Sequence, residues 1–99
     1  MKFLIWLTSD CPNIGEVVDA LKAGGHDIGI LLAQDGVYSI DRGCTTSTDI
    51  RGLKVPVFAI KRHVEEKGLN ERMSVDAEMV EYDGAVDLIM EKYDKVISL

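Results

Sequence analysis

The sequence lacks the long hydrophobic run that a membrane protein requires. No apolar stretch among its 99 residues approaches the roughly 20 that a membrane-spanning helix needs. The apolar start from Met1 to Leu7 is short, and Ser9-Asp10 ends it, which favours a first strand over a signal peptide. We therefore expect one domain over residues 1–99, located in the cytoplasm and not bound to a membrane.

Cysteine is scarce as well. Cys11 and Cys44 are the two thiols of the chain, too few and too far apart for a disulfide framework, and no Cys-x-x-Cys motif occurs. His26 and His63 are the two histidines that could complete a metal site, and their spacing fits no ligand pattern. Glycine-rich nucleotide loops are also missing. We therefore expect reduced thiols, no metal and no cofactor.

Basic residues are in the minority. The chain has 11 Lys and Arg against 17 Asp and Glu, for a net charge of −6. An acidic surface repels phosphate backbones, which argues against direct binding to nucleic acid. If the protein acts on RNA, a partner has to hold the RNA.

The patterns that are present predict strands and helices in strict alternation. Apolar runs that fit strands lie at residues 2–8, 26–33, 54–60, 79–82 and 95–99. Helical spacing and helix-ending glycines predict helices at residues 14–23 and 61–68, a helical turn at 36–40, and a last helix after Asp83. This alternation indicates an α/β protein, a three-layer α/β/α sandwich around a mostly parallel five-stranded sheet.

Two further expectations concern the last helix and the core. Asp83 is predicted to cap the helix, and the apolar residues at helical spacing that should form its buried face are Val86, Ile89, Met90 and Tyr93. The large apolar residues expected in the core include Trp6, Phe58, Met79 and Met90.

The most informative stretch runs from Ile28 to Tyr38. A strand that is apolar at nearly every position is typical of a buried parallel sheet, and here it ends at Gln34-Asp35-Gly36. Because ligands and partners meet such sheets beyond the carboxyl ends of the strands, Gln34 and Asp35 stand where functional residues usually lie. The alternative is a structural turn in which Asp35 is the cap and Gly36 supplies a positive φ.

The thiols have a functional and a structural interpretation. Cys11 follows the first predicted strand and precedes the first helix, where the helix dipole favours the thiolate, although Asp10 opposes it. Cys44 lies in a polar loop two residues after Arg42, whose cation could favour its thiolate. Either cysteine can instead be incidental to function.

Three basic or potentially basic groups, Lys61, Arg62 and His63, follow the third predicted strand. Positive charges at the start of a helix interact unfavourably with the helix dipole, so their presence indicates that they bind an anion or an acidic partner surface. The alternative is an ordinary helix end that is exposed to solvent. His63-Val64-Glu65 matches the short His-x-Glu pattern of zinc deaminases, but no Pro-Cys-x-x-Cys follows, so we treat the match as chance.

Four segments in order resemble the DsrH/TusB family. Residues 31–38 look like its leucine-rich strand and Gln-Asp-Gly-Val turn, and residues 57–69 are similar to its segment Val-Tyr-Ala-Leu-Lys-Glu-Asp-Val-Glu-Ala-Arg-Gly-Leu. Residues 80–88 resemble its V-x-Y-x-x-F-V-x-L segment, and residues 96–99 its short last strand. Each motif alone is weak, but four at the right spacing are fairly specific, and together they cover essentially the whole chain.

The resemblance implies a DsrE/DsrF/DsrH-like fold and a place in a sulfur-relay complex with DsrE/TusD-like and DsrF/TusC-like paralogues. Such complexes pass persulfide sulfur toward 2-thiolation of the tRNA wobble uridine, or serve sulfur trafficking in sulfur oxidisers. The relay cysteine of DsrE/TusD subunits ends the strand before the third helix, where this chain has Ala59-Ile60-Lys61. The resemblance therefore implies an auxiliary subunit, and whether the chain is itself an enzyme stays open.

If any residue carries sulfur, we expect Cys11 to do so, with Cys44 as a second thiol. The residues expected to line an interface or cleft at the strand ends are Gln34, Asp35, Tyr38 and Lys61. Two other functions stay open: a homo-oligomeric module that binds a small anion or a partner, with both thiols idle, and an autonomous sulfurtransferase that uses Cys11 or Cys44.

Overall fold

The computed structural model describes residues 1–8, 14–40, 55–69 and 77–98. Cys11 and Cys44 lie outside these ranges, as do most of the predicted polar loop and the connector that follows it. The expectations for both thiols therefore stay predictions.

The described chain alternates strands and helices as predicted. Its elements in order are β1 (Lys2–Leu7), α1 (Gly15–Ala23), β2 (Asp27–Leu32), a 3₁₀ helix (Gln34–Ile40), β3 (Val57–Ile60), α2 (Lys61–Glu66), β4 (Glu78–Val80), α3 (Tyr82–Asp87), a π-helical turn (Leu88–Lys92) and β5 (Lys95–Ser98). We refer to α3 and the π-helical turn together as the last helix. Across the described ranges, every helix is too short or too polar to cross a bilayer.

The sheet has the strand order β4-β3-β2-β1-β5, and all neighbouring strands are parallel. The chain steps from β1 to β4 in one direction and then returns to the opposite edge for β5. Because parallel crossovers are right-handed, this reversal brings the last helix to the face opposite α1 and α2. The predicted α/β/α sandwich around a five-stranded sheet is confirmed.

The face that α1 and α2 cover, which we call the first face, has a closed core. Val18 of α1 and Val64 of α2 are fully buried against it. The strand residues that meet them include Ile5, Leu7, Ile30, Leu32 and Ala59, each without solvent exposure. Alternate residues of each strand supply this core, which is why Leu31 and Leu32 lie on opposite faces.

The face that the last helix covers, which we call the second face, has a smaller core. Its buried members are Leu4, Leu31, Ala33, Ile60, Ala85 and Leu88. Gly29 of β2 brings no side chain to this face, and a Cβ there would overlap the phenol group of Tyr93. The glycine therefore lets the Tyr93 ring lie directly against the strand.

The predicted cap of the last helix is wrong. The helix begins at Tyr82 with Glu81 in the N-cap position, and no side chain caps it. Strand β4 ends at Val80, two residues earlier than predicted, so the helix also starts earlier. Asp83 consequently lies within the first turn, where its carboxylate still interacts favourably with the helix dipole.

The predicted buried face of the last helix is wrong in two of its four positions. Val86 is 55% exposed and Met90 is 74% exposed, whereas Ala85 and Leu88 are buried against the sheet. Met90 is accordingly not a core residue. Because Ala85 and Leu88 face the sheet, the helical geometry turns Val86 and Met90 toward solvent.

Candidate functional site

The strands β1, β2 and β3 end together at one edge of the sheet, which we call the carboxyl edge. This edge carries the turn that follows β2 and the first residues of α2 and of the last helix. In parallel sheets, ligands and partners bind beyond such an edge. A functional site is therefore expected at the carboxyl edge.

Gln34 has an unusual backbone conformation at this edge. Its φ of 51° lies in the left-handed region, and it is the one residue other than glycine in the described ranges with a positive φ. That conformation costs about 1–2 kcal/mol for a residue with a Cβ. The backbone N–H of Gln34 donates a 2.8 Å hydrogen bond to Nδ1 of His63, which holds the turn in this shape.

Gly36 is required for a reason other than the predicted one. The alternative of a structural turn assigned it a positive φ, but the positive φ belongs to Gln34. A Cβ at Gly36 would overlap the backbone carbonyl of Leu7 at the end of β1. The 3₁₀ helix therefore approaches β1 closely because Gly36 has no side chain.

His63 connects this turn to the last helix. Because Nδ1 accepts the hydrogen bond from Gln34, the neutral ring carries its proton on Nε2. Nε2 lies 2.9 Å from the Tyr82 hydroxyl and donates to it in this tautomer. The two rings also meet edge to face, with centroids 5.6 Å apart. The Tyr82 hydroxyl then keeps its own proton available for an acceptor.

A cavity of about 330 Å³ opens beside the His63–Tyr82 pair. Its described lining residues are Trp6, Leu31, Ala33, Gln34, Ile60, His63, Tyr82, Ala85, Val86 and Ile89, and none of these carries a formal charge when His63 is neutral. The indole nitrogen of Trp6 is buried and has no hydrogen-bond partner within the described part of the chain. The volume is at the lower end of the range for small-molecule sites, and the uncharged lining favours an apolar occupant.

A second cluster at the edge involves Asp35, Lys67 and Tyr38. Nζ of Lys67 lies 3.1 Å from Oδ1 of Asp35 and 5.2 Å from the centroid of the Tyr38 ring. The hydrogen bond to Asp35 raises the pKa of Lys67, while partial desolvation acts in the opposite direction. The charge of the Asp35 carboxylate is therefore balanced by the Lys67 ammonium group. Tyr38 lies half-buried against the first-face core.

The structure brings most of the sequence-predicted cleft residues to this edge. Gln34, Asp35 and Tyr38 share one 3₁₀ helix. Lys61 is exposed at the start of α2, and its ammonium group makes no ion pair with the rest of the described chain. Groups of three or more His, Cys, Asp or Glu side chains that could hold a metal do not occur among the residues the structure describes.

Two contacts at the carboxyl edge, His63 with Tyr82 and Lys67 with Asp35, were not predicted from the sequence. In the sequence, His63 was interpreted as one of three basic groups at the start of a helix, and Tyr82 was predicted to end a strand. Lys67 was not identified as a candidate residue. His63 and Tyr82 lie 19 positions apart on helices that cover opposite faces, and they meet because both helices begin at the carboxyl edge. No local spacing in the sequence signals a contact of that kind.

The fold has a close structural counterpart. Seven chains of solved structures match this one, among them the YchN protein from E. coli, with a TM-score of 0.75 over 100% of both chains. Sequence identity is 16%, so the likeness shows the fold. The chain thus has an α/β/α fold similar to that of YchN.

The family follows from the sequence match. The model of DsrH-like proteins matches residues 11–96, so the chain belongs to the DsrH family. No curated protein sequence matches it.

Proposed function

We propose that this chain is an auxiliary subunit of a sulfur-relay complex that supports 2-thiolation of the tRNA wobble uridine in the cytoplasm. DsrH-like proteins are components of sulfur relays, typically within complexes. The partners that we propose are one DsrE/TusD-like and one DsrF/TusC-like paralogue, as the resemblance implies. The net charge of −6 fits a protein that contacts other proteins and leaves tRNA to them.

The observation that carries this proposal is the end of β3. Sulfur-carrying DsrE/TusD subunits have their relay cysteine at the end of this strand, and here the strand ends in Ala59 and Ile60. Ile60 is buried in the second-face core. An apolar core side chain cannot accept sulfur, which supports an auxiliary role.

The rest of the carboxyl edge supports a binding face. Asp35 is held by Lys67, and Gln34 is held by His63. Gly36 allows the turn to pack closely against β1. A turn that is held by two side-chain contacts and packed against a strand presents a surface of constant shape, which lowers the conformational entropy lost when a partner binds.

Mass spectrometry of the co-expressed complex tests the auxiliary role. The chain is co-purified with its two paralogues and treated with a persulfide donor. We expect the added sulfur atom on a paralogue and none on this chain. Association with both paralogues, without a sulfur adduct here, supports the proposal.

A sulfur adduct on Cys11 or Cys44 of this chain would contradict the auxiliary role. In that case the thiolate of Cys11 attacks the terminal sulfur of the donor persulfide, the donor's S–S bond breaks, and the donor leaves as a thiolate. An adduct on this chain that is lost in Cys11→Ser but kept in Cys44→Ser would replace the auxiliary role with autonomous sulfur transfer. A stable homo-oligomer that binds neither paralogue would instead support the homo-oligomeric binding module.

The pathway needs a separate measurement. Deletion of the gene is expected to lower the 2-thiouridine content of wobble positions, and the intact gene is expected to restore it. Unchanged 2-thiouridine together with impaired sulfur oxidation would assign the subunit to sulfur trafficking.

A further inference from the structure

The last helix exposes an unusual row of large apolar side chains. Tyr82, Val86 and Met90 follow one another at intervals of four residues and are 48%, 55% and 74% exposed. We call these three residues the apolar stripe. Residues four apart lie on one side of a helix, and Tyr82 and Val86 also line the cavity at the carboxyl edge. The stripe and the cavity therefore form one continuous apolar surface, of the kind that marks an interaction site.

A row of carboxylates runs beside it. Asp83, Asp87 and Glu91 each follow a member of the apolar stripe by one residue, and all three are exposed. We call them the acidic stripe. Within the described ranges, the two ion pairs are Arg62 with Glu66 and Lys67 with Asp35, so no carboxylate of the acidic stripe is held in an ion pair there.

We propose that the two stripes form a docking surface for a partner chain that presents an apolar ridge bordered by Lys or Arg side chains. This inference rests on the proposed function in taking the partner to be another relay subunit, and it names the face and the chemistry of that contact. The partner's ridge covers the apolar stripe, and one of its side chains enters the cavity as an anchor. Its basic residues then lie over the acidic stripe, where charge complementarity increases the rate of association.

A second copy of this chain does not provide that chemistry. The last helix carries Lys92 as its one basic residue, against the three carboxylates of the acidic stripe. Two copies joined by this face would partly desolvate carboxylates without cationic partners, which is costly. Each copy also has a net charge of −6, so the copies repel one another.

Trp6 makes occupation of the cavity measurable. It is the one tryptophan in the chain, and it lines the cavity. An anchor side chain that enters the cavity changes the surroundings of the indole and therefore its fluorescence. In a complex with tryptophan-free paralogues, the signal comes from this residue alone.

The first test adds charge to the apolar stripe. Val86→Glu with Met90→Glu is compared with Ala20→Glu and Ala23→Glu, which add the same charge at exposed positions of α1 on the first face. All four substituted positions are exposed, so neither variant changes a core residue, and circular dichroism checks that both variants fold. We expect the stripe variant to bind the co-expressed paralogues at least about tenfold more weakly and to lose the Trp6 fluorescence change. The α1 control should bind within about twofold of the unmodified chain.

The second test reverses charge on the acidic stripe. Asp87→Lys with Glu91→Lys is compared with Glu16→Lys and Asp19→Lys on α1, which change the net charge equally. We expect slower association for the stripe variant and weakened dependence of binding on salt. Changing the facing Lys or Arg of the partner to Glu should restore the association rate.

Three results would overturn the inference, and they are distinguishable from failure of the proposed function. Normal binding of the paralogues by the Val86→Glu, Met90→Glu variant rejects the docking surface and leaves the relay role intact. Self-association of the unmodified chain that this variant abolishes, measured by sedimentation, assigns the surface to a second copy. If the unmodified chain binds neither paralogue, the proposed partnership fails and the inference fails with it.

Discussion

The first and second faces of the sheet share the same strands but differ in how completely they are covered. On the first face, α1 and α2 enclose a core whose central residues have no solvent exposure. On the second face, a cavity of about 330 Å³ and three exposed apolar side chains accompany the last helix. The first face therefore contributes mainly to stability, whereas the second face is suited to binding.

The strand order explains the difference. The described helical elements between β1 and β4, which are α1, the 3₁₀ helix and α2, pack on the first face, and the last helix, between β4 and β5, packs on the second. Five strands spaced about 4.8 Å apart make a sheet roughly 19 Å wide, whereas one helix with its side chains is about 10–12 Å across. Within the described part of the chain, the last helix alone therefore cannot close the second face.

The largest predicted effect compares adjacent leucines on β2. Leu32 lies in the first-face core and Leu31 lines the second-face cavity, and both are fully buried. We expect Leu32→Ala to lower the free energy of unfolding by about 4 kcal/mol and Leu31→Ala by about 2.5 kcal/mol, since the loss grows with the close contacts removed. Urea denaturation measures both. Equal losses would contradict the contrast between the two faces.

The next effect compares two glycines. A Cβ at Gly36 overlaps the backbone of Leu7, whereas a Cβ at Gly29 overlaps the end of the Tyr93 side chain, which can rotate away. We expect Gly36→Ala to cost about 3 kcal/mol and Gly29→Ala about 1 kcal/mol. Gly84→Ala serves as the control: an added Cβ meets Val80 at 3.4 Å, and alanine favours the helix by up to about 1 kcal/mol. Thermal unfolding that ranks Gly29→Ala as the more damaging change would reverse our interpretation.

A smaller effect is expected at His63, which joins the two faces through the 3₁₀ turn and Tyr82. His63→Ala removes the acceptor of the Gln34 N–H and should cost about 1–2 kcal/mol. His63→Asn keeps an acceptor near the Nδ1 position and should recover part of that loss. Amide hydrogen exchange at Gln34 is the direct measurement. Unchanged protection in His63→Ala would show that the turn is held by other contacts.

The smallest effect concerns alkaline pH. Burial, assisted by the Asp27 carboxylate, raises the pKa of Tyr93 above its usual value of 10.0. The folded state therefore holds the Tyr93 proton more tightly than the unfolded chain does. The resulting stabilisation is fully present below about pH 10 and is lost as pH rises through the higher folded-state pKa.

Tyr93→Phe isolates this contribution. Lys67, whose pKa is also raised, loses its ion pair in the same pH range, but it is present in both proteins. The free energy of unfolding, measured by urea denaturation from about pH 9 to pH 11, should fall more steeply for the unmodified chain than for Tyr93→Phe. Parallel curves would mean that Tyr93 is as accessible to solvent as it is in the unfolded chain.

Much of the fold could be predicted from local patterns. The apolar run from Ile28 to Ala33 identified a buried parallel strand, and its end identified the edge that carries the candidate site. Those predictions succeed because a strand buried on both faces requires apolar residues at nearly every position. The prediction that Gln34, Asp35 and Tyr38 line a cleft at this edge came from the same pattern and stays a prediction.

The errors all concern contacts between elements. The Asp83 cap depended on where β4 ends, and the exposure of Met90 depended on which residues of the last helix face the sheet. The role of Gly36 depended on the position of the Leu7 carbonyl. A helical periodicity identifies a set of apolar residues, but the rotation of the helix against its neighbours decides which of them are buried.

The sequence by itself determined the order of the strands and helices, the acidic character of the chain and its membership of the DsrH family. Each of these depends on residue type and local spacing. The tertiary structure alone decided that His63 meets Tyr82 and that Lys67 meets Asp35. It also decided that Tyr82, Val86 and Met90 stay on the surface. Such contacts join residues far apart in the chain, and they arise when the strand order and the close approach of each helix bring those residues together.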